Sequence, residues 1–127
     1  MIHRSDDMNM VLIGIGRYLL AALFLAGAIQ KAVNPSEAQA LLAGFGLPEA
    51  LIWPALVYNF LAALCLITNR YVRITAASLA LYCMGTSFFH FIPDDKWQMS
   101  IFVKNWAIAG GLLVLAGGTA HRAHNDA

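Results

Sequence analysis

Four long apolar runs, separated by short polar stretches, account for most of the chain: residues 10–29, 50–68, 74–92 and 102–120. A hydrocarbon core about 30 Å thick is crossed by a helix of about 20 apolar residues, and each run comes close to that length. In lipid the backbone must satisfy its own N–H and C=O groups, so spanning runs of this kind become helices. The alternation that marks a membrane β-barrel is absent. The pattern predicts four transmembrane helices within one transmembrane domain, residues 1–127.

Between the first two runs, Asn34-Pro35-Ser36-Glu37 reads as a helix start. Asn34 suits the cap, Pro35 the first helical position, and Glu37 can reach back to the cap. The helix continues through residues 38–43 and stops at Gly44 and Gly46, ahead of Leu47-Pro48. It is expected at the membrane interface, with Leu41, Leu42 and Phe45 facing lipid. The fold class is therefore all-α, an integral membrane four-helix bundle with a short interfacial helix between the first two spans. Small residues recur every seven positions at Gly14, Ala21 and Ala28, at Gly110 and Gly117, and at Gly111 and Gly118. They are expected to line the seams where helices approach closely.

Composition removes several alternatives. Hydrophobic residues make up 60% and charged residues 12%, with a mean hydropathy of +0.65. A soluble domain carries about 25% charged residues, so this chain lacks the polar groups to coat a globule in water. A net charge of +1 leaves no basic face for nucleic acid. Cys65 and Cys83 sit in apolar runs with no CxxC and no ligand spacing, and read as inert thiols. Leu25-Ala26-Gly27-Ala28 resembles a signal-peptidase site, but Asp6 and Asp7 beside Arg4, and Arg17 within the run, argue for a retained span.

Four crossings place both termini and the turn near 69–73 on one side. Arg4, Arg70, Arg73 and Arg122 fall there, against Lys31, Lys96 and Lys104 on the other. This bias predicts cytoplasmic termini, and Trp53, Trp97 and Trp106 at the outer interface.

The polar residues inside the spans carry the candidate chemistry. Arg17 falls near mid-span, where arginine costs roughly 2.5–3.5 kcal/mol on insertion scales. Either it faces the interior, with Asn59, Tyr58, Tyr82, Thr86 or a bound ligand as partner, or it snorkels to the cytoplasmic interface about 10 Å away. No carboxylate lies within a span to neutralise it. At the other end Gln30, Lys31, His90, Lys104 and Asn105 close or open helices at one level. Such a ring suits a quinone carbonyl, a lipid phosphate or a small anion, and it equally suits the ordinary marking of helix ends by polar residues. No nucleophile–base set, phosphate cradle or metal-ligand set appears, and His121 and His124 read as a solvated tail pair.

In order and spacing, these residues resemble the DoxX family of small bacterial membrane proteins. The resemblance rests on Gly16-Arg17-Tyr18-Leu19-Leu20 through Phe24-Leu25-Ala26-Gly27 to Lys31, on Gly44-Phe45-Gly46-Leu47-Pro48, on His90 closing the third helix, and on Phe102-Val103-Lys104-Asn105-Trp106-Ala107-Ile108-Ala109-Gly110-Gly111. It extends over residues 12–118. Two positions depart from the family pattern: Asn59 stands where a glutamate is frequent, and Asn69 where a glycine is usual.

The resemblance implies a four-helix membrane bundle in the bacterial cytoplasmic membrane. Some relatives are associated with quinone-linked sulfur oxidation, others with membrane complexes that handle thiol and oxidative stress. The expected role is an accessory or anchoring subunit of a quinone-linked redox complex, not catalytic alone, with a membrane-protein partner or a second copy. Its ligand-binding residues are expected to be Arg17 and Asn59 at the floor of a pocket with Tyr82, and Lys31, His90, Lys104 and Asn105 around its mouth. The alternative is a small lipid- or solute-binding carrier, or a membrane adaptor, without a redox role.

Overall fold

A computed structural model describes the backbone of residues 2–126 and the side chains of residues 6–118. Every regular element among them is helical: α1 (Ile2–Val33), α2 (Ser36–Gly44), a 3-10 turn (Glu49–Leu51), α3 (Ile52–Thr68), α4 (Val72–Ser87), a second 3-10 turn (Phe88–His90) and α5 (Lys96–Asp126). Four stretches are long and apolar enough to cross a membrane: Asp6–Val33, Glu49–Thr68, Val72–His90 and Lys96–Gly118. The all-α membrane bundle expected from the apolar runs is the fold.

The helices at the two ends of the chain begin earlier than their apolar runs. Helix α5 starts at Lys96 because Asp95 caps it, its Oδ1 accepting from the backbone N–H groups of Trp97 (3.0 Å) and Gln98 (3.2 Å). A carboxylate there also meets the positive end of the helix dipole. Helix α2 lacks the anticipated Asn34 cap. Asn34 Oδ1 instead accepts from the Ser36 hydroxyl at 2.9 Å, and no side chain caps the helix. Its end follows the sequence: Gly46 adopts φ +72, and the N–H groups of Gly46 and Leu47 bond the carbonyls of Ala43 and Leu42, both at 3.0 Å. This left-handed stop favours glycine, which has no Cβ to strain. Phe45 packs edge-on against Phe89 at 5.0 Å, which rests α2 on the end of α4.

Helices α1 and α3 form one tightly packed pair and α4 and α5 the other, with fewer contacts between the pairs. One core cluster runs through all four. Half of the buried apolar residues are alanines, among them Ala21, Ala63, Ala76, Ala80 and Ala109, while Leu19, Ile74, Leu81 and Val114 are about two-thirds or more exposed. Alanines fill half of the apolar interior beside a few large side chains such as Ile52, Leu66, Leu79 and Leu112, while many other large side chains point outward. This suits a lipid solvent, in which burying leucine gains little and close approach of backbones supplies the packing.

The glycines do not share that role. A Cβ added at Gly14, Gly16, Gly110, Gly111, Gly117 or Gly118 would meet no neighbouring atom within 4 Å. Alanines therefore close the bundle, while these glycines make no close contact: Gly110 and Gly117 are exposed, and Gly16, Gly111 and Gly118 border an open groove between α1 and α5. At the far end Phe88, Phe91, Phe102 and Trp106 form a ring cluster with centroids 5.2–6.3 Å apart, joining the exit of α4 to α5. Trp53 and Trp97, both substantially exposed, start their helices at that same end.

Candidate functional site

The last turn of an α-helix leaves carbonyl oxygens without intrahelical donors. In α3 those of Cys65, Leu66 and Ile67 find donors. The backbone N–H of Arg70 bonds the Cys65 carbonyl at 3.0 Å, and the Thr68 hydroxyl bonds Leu64 at 2.8 Å. Arg17 Nη1, from α1, donates to the carbonyls of Leu66 and of Ile67, the latter at 3.2 Å. A cation at a helix C-terminus also complements the dipole. The guanidinium carbon lies 4.8 Å from the centroid of the Tyr18 ring, adding a cation–π contact. Arg17 is half-buried and level with the end of α3.

Asn59 is not its partner. It precedes Leu66 by seven residues on α3, about 10 Å along the axis. The expected floor shared by Arg17 and Asn59 does not form, because the Arg17 side chain is held by the Leu66 and Ile67 carbonyls at the helix end, two turns along α3 from Asn59. Asn59 belongs to a second group between α3 and α4. It is only 2% exposed, its Nδ2 reaches the Tyr82 hydroxyl at 3.5 Å, and its Oδ1 has no hydrogen-bond partner. Beside it the Tyr58 and Ser78 hydroxyls lie 2.7 Å apart, and Ser78 also donates to the Thr75 carbonyl at 2.9 Å. The Tyr58 and Tyr82 rings approach to 5.2 Å. Thr86, weighed as a partner for Arg17, bonds the Tyr82 carbonyl on its own helix at 2.8 Å.

The polar residues at the opposite end do not make a hydrogen-bonded ring. His90 Nδ1 pairs with Gln98 Oε1 at 2.7 Å; for the neutral imidazole this assigns the proton to Nδ1 and leaves Nε2 as acceptor. Lys31 is half-buried and its Nζ lies 3.8 Å from where a Cβ on Gly27 would stand, so it folds back along α1. Lys104 is exposed and Asn105 half-buried, and among the described residues no hydrogen bond or ion pair links either to Lys31 or His90. Side chains of His121 and His124, and of Arg4 and Arg122, lie outside the described residues. Among those described, no group of three His, Cys, Asp or Glu side chains is placed to hold a metal. Cys83 is buried and Cys65 half-buried, and both are free thiols.

Sequence reasoning missed Gln98, Ser78 and Asp95. Ser78 is one of several hydroxyl residues in its apolar span, with Thr75, Tyr82, Thr86 and Ser87, so its pairing with Tyr58 had no distinguishing signal in the sequence. The Gln98 contact is set by the turn between α4 and α5, which no periodicity encodes.

Asn69 adopts the left-handed conformation, with φ 59 and ψ 39, where α3 gives way to the turn. After glycine, asparagine is the residue that enters this region most readily. The glycine usual at this position in the resembling family and the asparagine here thus answer the same backbone demand.

No curated protein and no solved structure matches the chain. The DoxX family model matches residues 12–92, which take in Arg17, the α2 stop, Asn59 and His90 and leave α5 outside the match. With the four apolar helices and the Arg17-to-His90 framework in place, the chain belongs to the DoxX family.

Proposed function

We propose that the protein is an accessory, membrane-anchoring subunit of a quinone-linked redox complex in the bacterial cytoplasmic membrane, with both termini in the cytoplasm. The observation that carries the anchoring role is the outward glycine surface. Gly110 and Gly117 on α5 are exposed, with open space over their Cα atoms, and the bundle does not use them. Such surfaces let the helix of another membrane protein approach closely. The redox link rests on family membership, and catalysis belongs to the partner.

For the quinone, the fitting residues are those around Asn59. A quinol hydroxyl needs an acceptor and a quinone carbonyl needs a donor. Asn59 Oδ1 is a buried acceptor without a donor, and the Tyr82 hydroxyl stands beside it. A buried polar atom left unpaired is uncommon enough to ask for a partner. The head group would enter by parting α3 from α4, which share fewer contacts than either shares with its own pair partner. A bound quinone would supply the two-electron chemistry; Asn59 and Tyr82 would hold its oxygens.

Purification from native membranes in a mild detergent tests the reading. The expected result is a stoichiometric membrane partner with an oxidoreductase activity and extractable quinone. A chain that purifies alone and without quinone overturns it.

A further inference from the structure

Between α1 and α5, at the level of Arg17, lies an open groove of about 530 Å³. Its walls are Leu12, Leu19 and Leu20 on one side and Gly111 and Val114 on the other, with Arg17 as its one charged residue. From Leu12 to Leu20 it runs about 12 Å along α1, two helical turns, which suits one acyl chain and is short for a packed transmembrane helix.

Arg17 has donors to spare. A guanidinium offers five N–H groups. Those of Nη1 face the α3 carbonyls, while Nε and Nη2 have no hydrogen-bond partner among the described residues. No carboxylate of the described residues lies within ion-pair distance, so the charge meets only carbonyl dipoles and the Tyr18 ring. Asp6 and Asp7 stand about 15 Å farther along α1. Arg70 and Arg73, both exposed, flank the same end of α3 and raise the positive potential there.

We propose that this groove is a binding site for one anionic phospholipid, its phosphate on the Nε and Nη2 edge of Arg17 and an acyl chain along the groove walls. A phosphate accepts two parallel bonds from a guanidinium and neutralises it. A quinone carbonyl would take a hydrogen bond and leave the charge uncompensated. The glycines keep the wall low: a Cβ on Gly111 would stand in free space, which is the space an acyl chain occupies in the bound state. The site is independent of any partner complex and of the Asn59 group.

Native mass spectrometry of the delipidated protein, with dioleoyl phosphatidylglycerol, dioleoyl phosphatidylcholine or ubiquinone added in turn, tests it. One phosphatidylglycerol per chain should be retained, with at least tenfold preference over phosphatidylcholine. Gly111→Leu fills the groove and leaves the Arg17 bonds to α3 in place, so it should lower that retention about tenfold at an unchanged lipid-free melting temperature. Arg70→Gln with Arg73→Gln removes only the surrounding potential and should lower retention less than Gly111→Leu does. Equal retention of the two lipids, displacement by equimolar ubiquinone, or unaltered retention in Gly111→Leu overturns the site. A Gly111→Leu chain that no longer folds would also overturn it, since the open space over Gly111 would then be required by the bundle itself.

Discussion

Arg17 donates to the carbonyl of Ile67 across 3.2 Å, joining the middle of α1 to the last turn of α3. With its companion bond to Leu66, this contact fixes how the first helix slides along the third. It also gives an arginine in an apolar run a set of acceptors that no side chain of the spans provides.

Replacing Arg17 with leucine should leave the bundle folded but weaker. Two carbonyls lose their donor and the helix end its cation, a loss of about 1–2 kcal/mol. Denaturation of the purified protein in mixed micelles measures it. Lysine at this position should recover part of the loss, since it keeps the charge without the planar fork. A leucine variant as stable as the parent would show that the bond does not hold the helices.

Asn59→Leu should have opposite effects on stability and function. Removing a buried acceptor that lacks a donor should raise stability by about 1 kcal/mol, since only one long 3.5 Å bond is lost. The same change should reduce quinone retention in the native complex. Stability that falls by more than that amount would point to a hydrogen bond to Asn59 in the folded protein that outweighs the desolvation of its amide.

Tyr71 carries φ 54 in the turn before α4 and is 75% exposed. A left-handed conformation costs an ordinary L-residue roughly 1–2 kcal/mol. Its ring buries little, so Tyr71→Gly should stabilise the protein by about 1 kcal/mol, read from the same unfolding curves. Destabilisation would mean that the ring anchors this turn at the membrane surface, as interfacial aromatics do.

Gly117→Leu should not alter the stability of the isolated chain by more than about 0.5 kcal/mol, because the new side chain meets open space. It should weaken co-purification of the partner, which gel filtration of the complex would reveal. Retention of a full complement of partner would move the docking surface elsewhere.

Topology is accessible through introduced cysteines. The native thiols interfere little, since Cys83 is 5% exposed and Cys65 is half-buried. Single cysteines at Asp7 and at Arg70 should label only after the membrane is permeabilised, and one at Asp94 should label in intact cells. Labelling of the Asp7 position from outside reverses the orientation.

Hydropathy determined the fold class and the number of spans, and the glycines determined the stop of α2. Each depends on local rules: the length of an apolar run against the thickness of a bilayer, and a glycine where the backbone turns left-handed. The family pattern was legible for the same reason, since Arg17, Gly46 and His90 are spaced along the chain. Helix ends were less legible. Asp95 could be read as a cap, but the apolar run of α5 begins six residues later than the helix, because hydrogen bonding continues where hydropathy fades.

Only the tertiary structure decided what Arg17 meets. Its acceptors are backbone carbonyls, which every residue possesses and which no sequence signal distinguishes; they become available because α3 ends at Thr68 beside the middle of α1. Packing likewise assigned alanines to the core and glycines to the outside, although both follow the same seven-residue spacing. Periodicity defines a stripe on a helix, but which stripe faces a neighbour depends on how each helix is rotated in the bundle. That rotation is set by all four helices together.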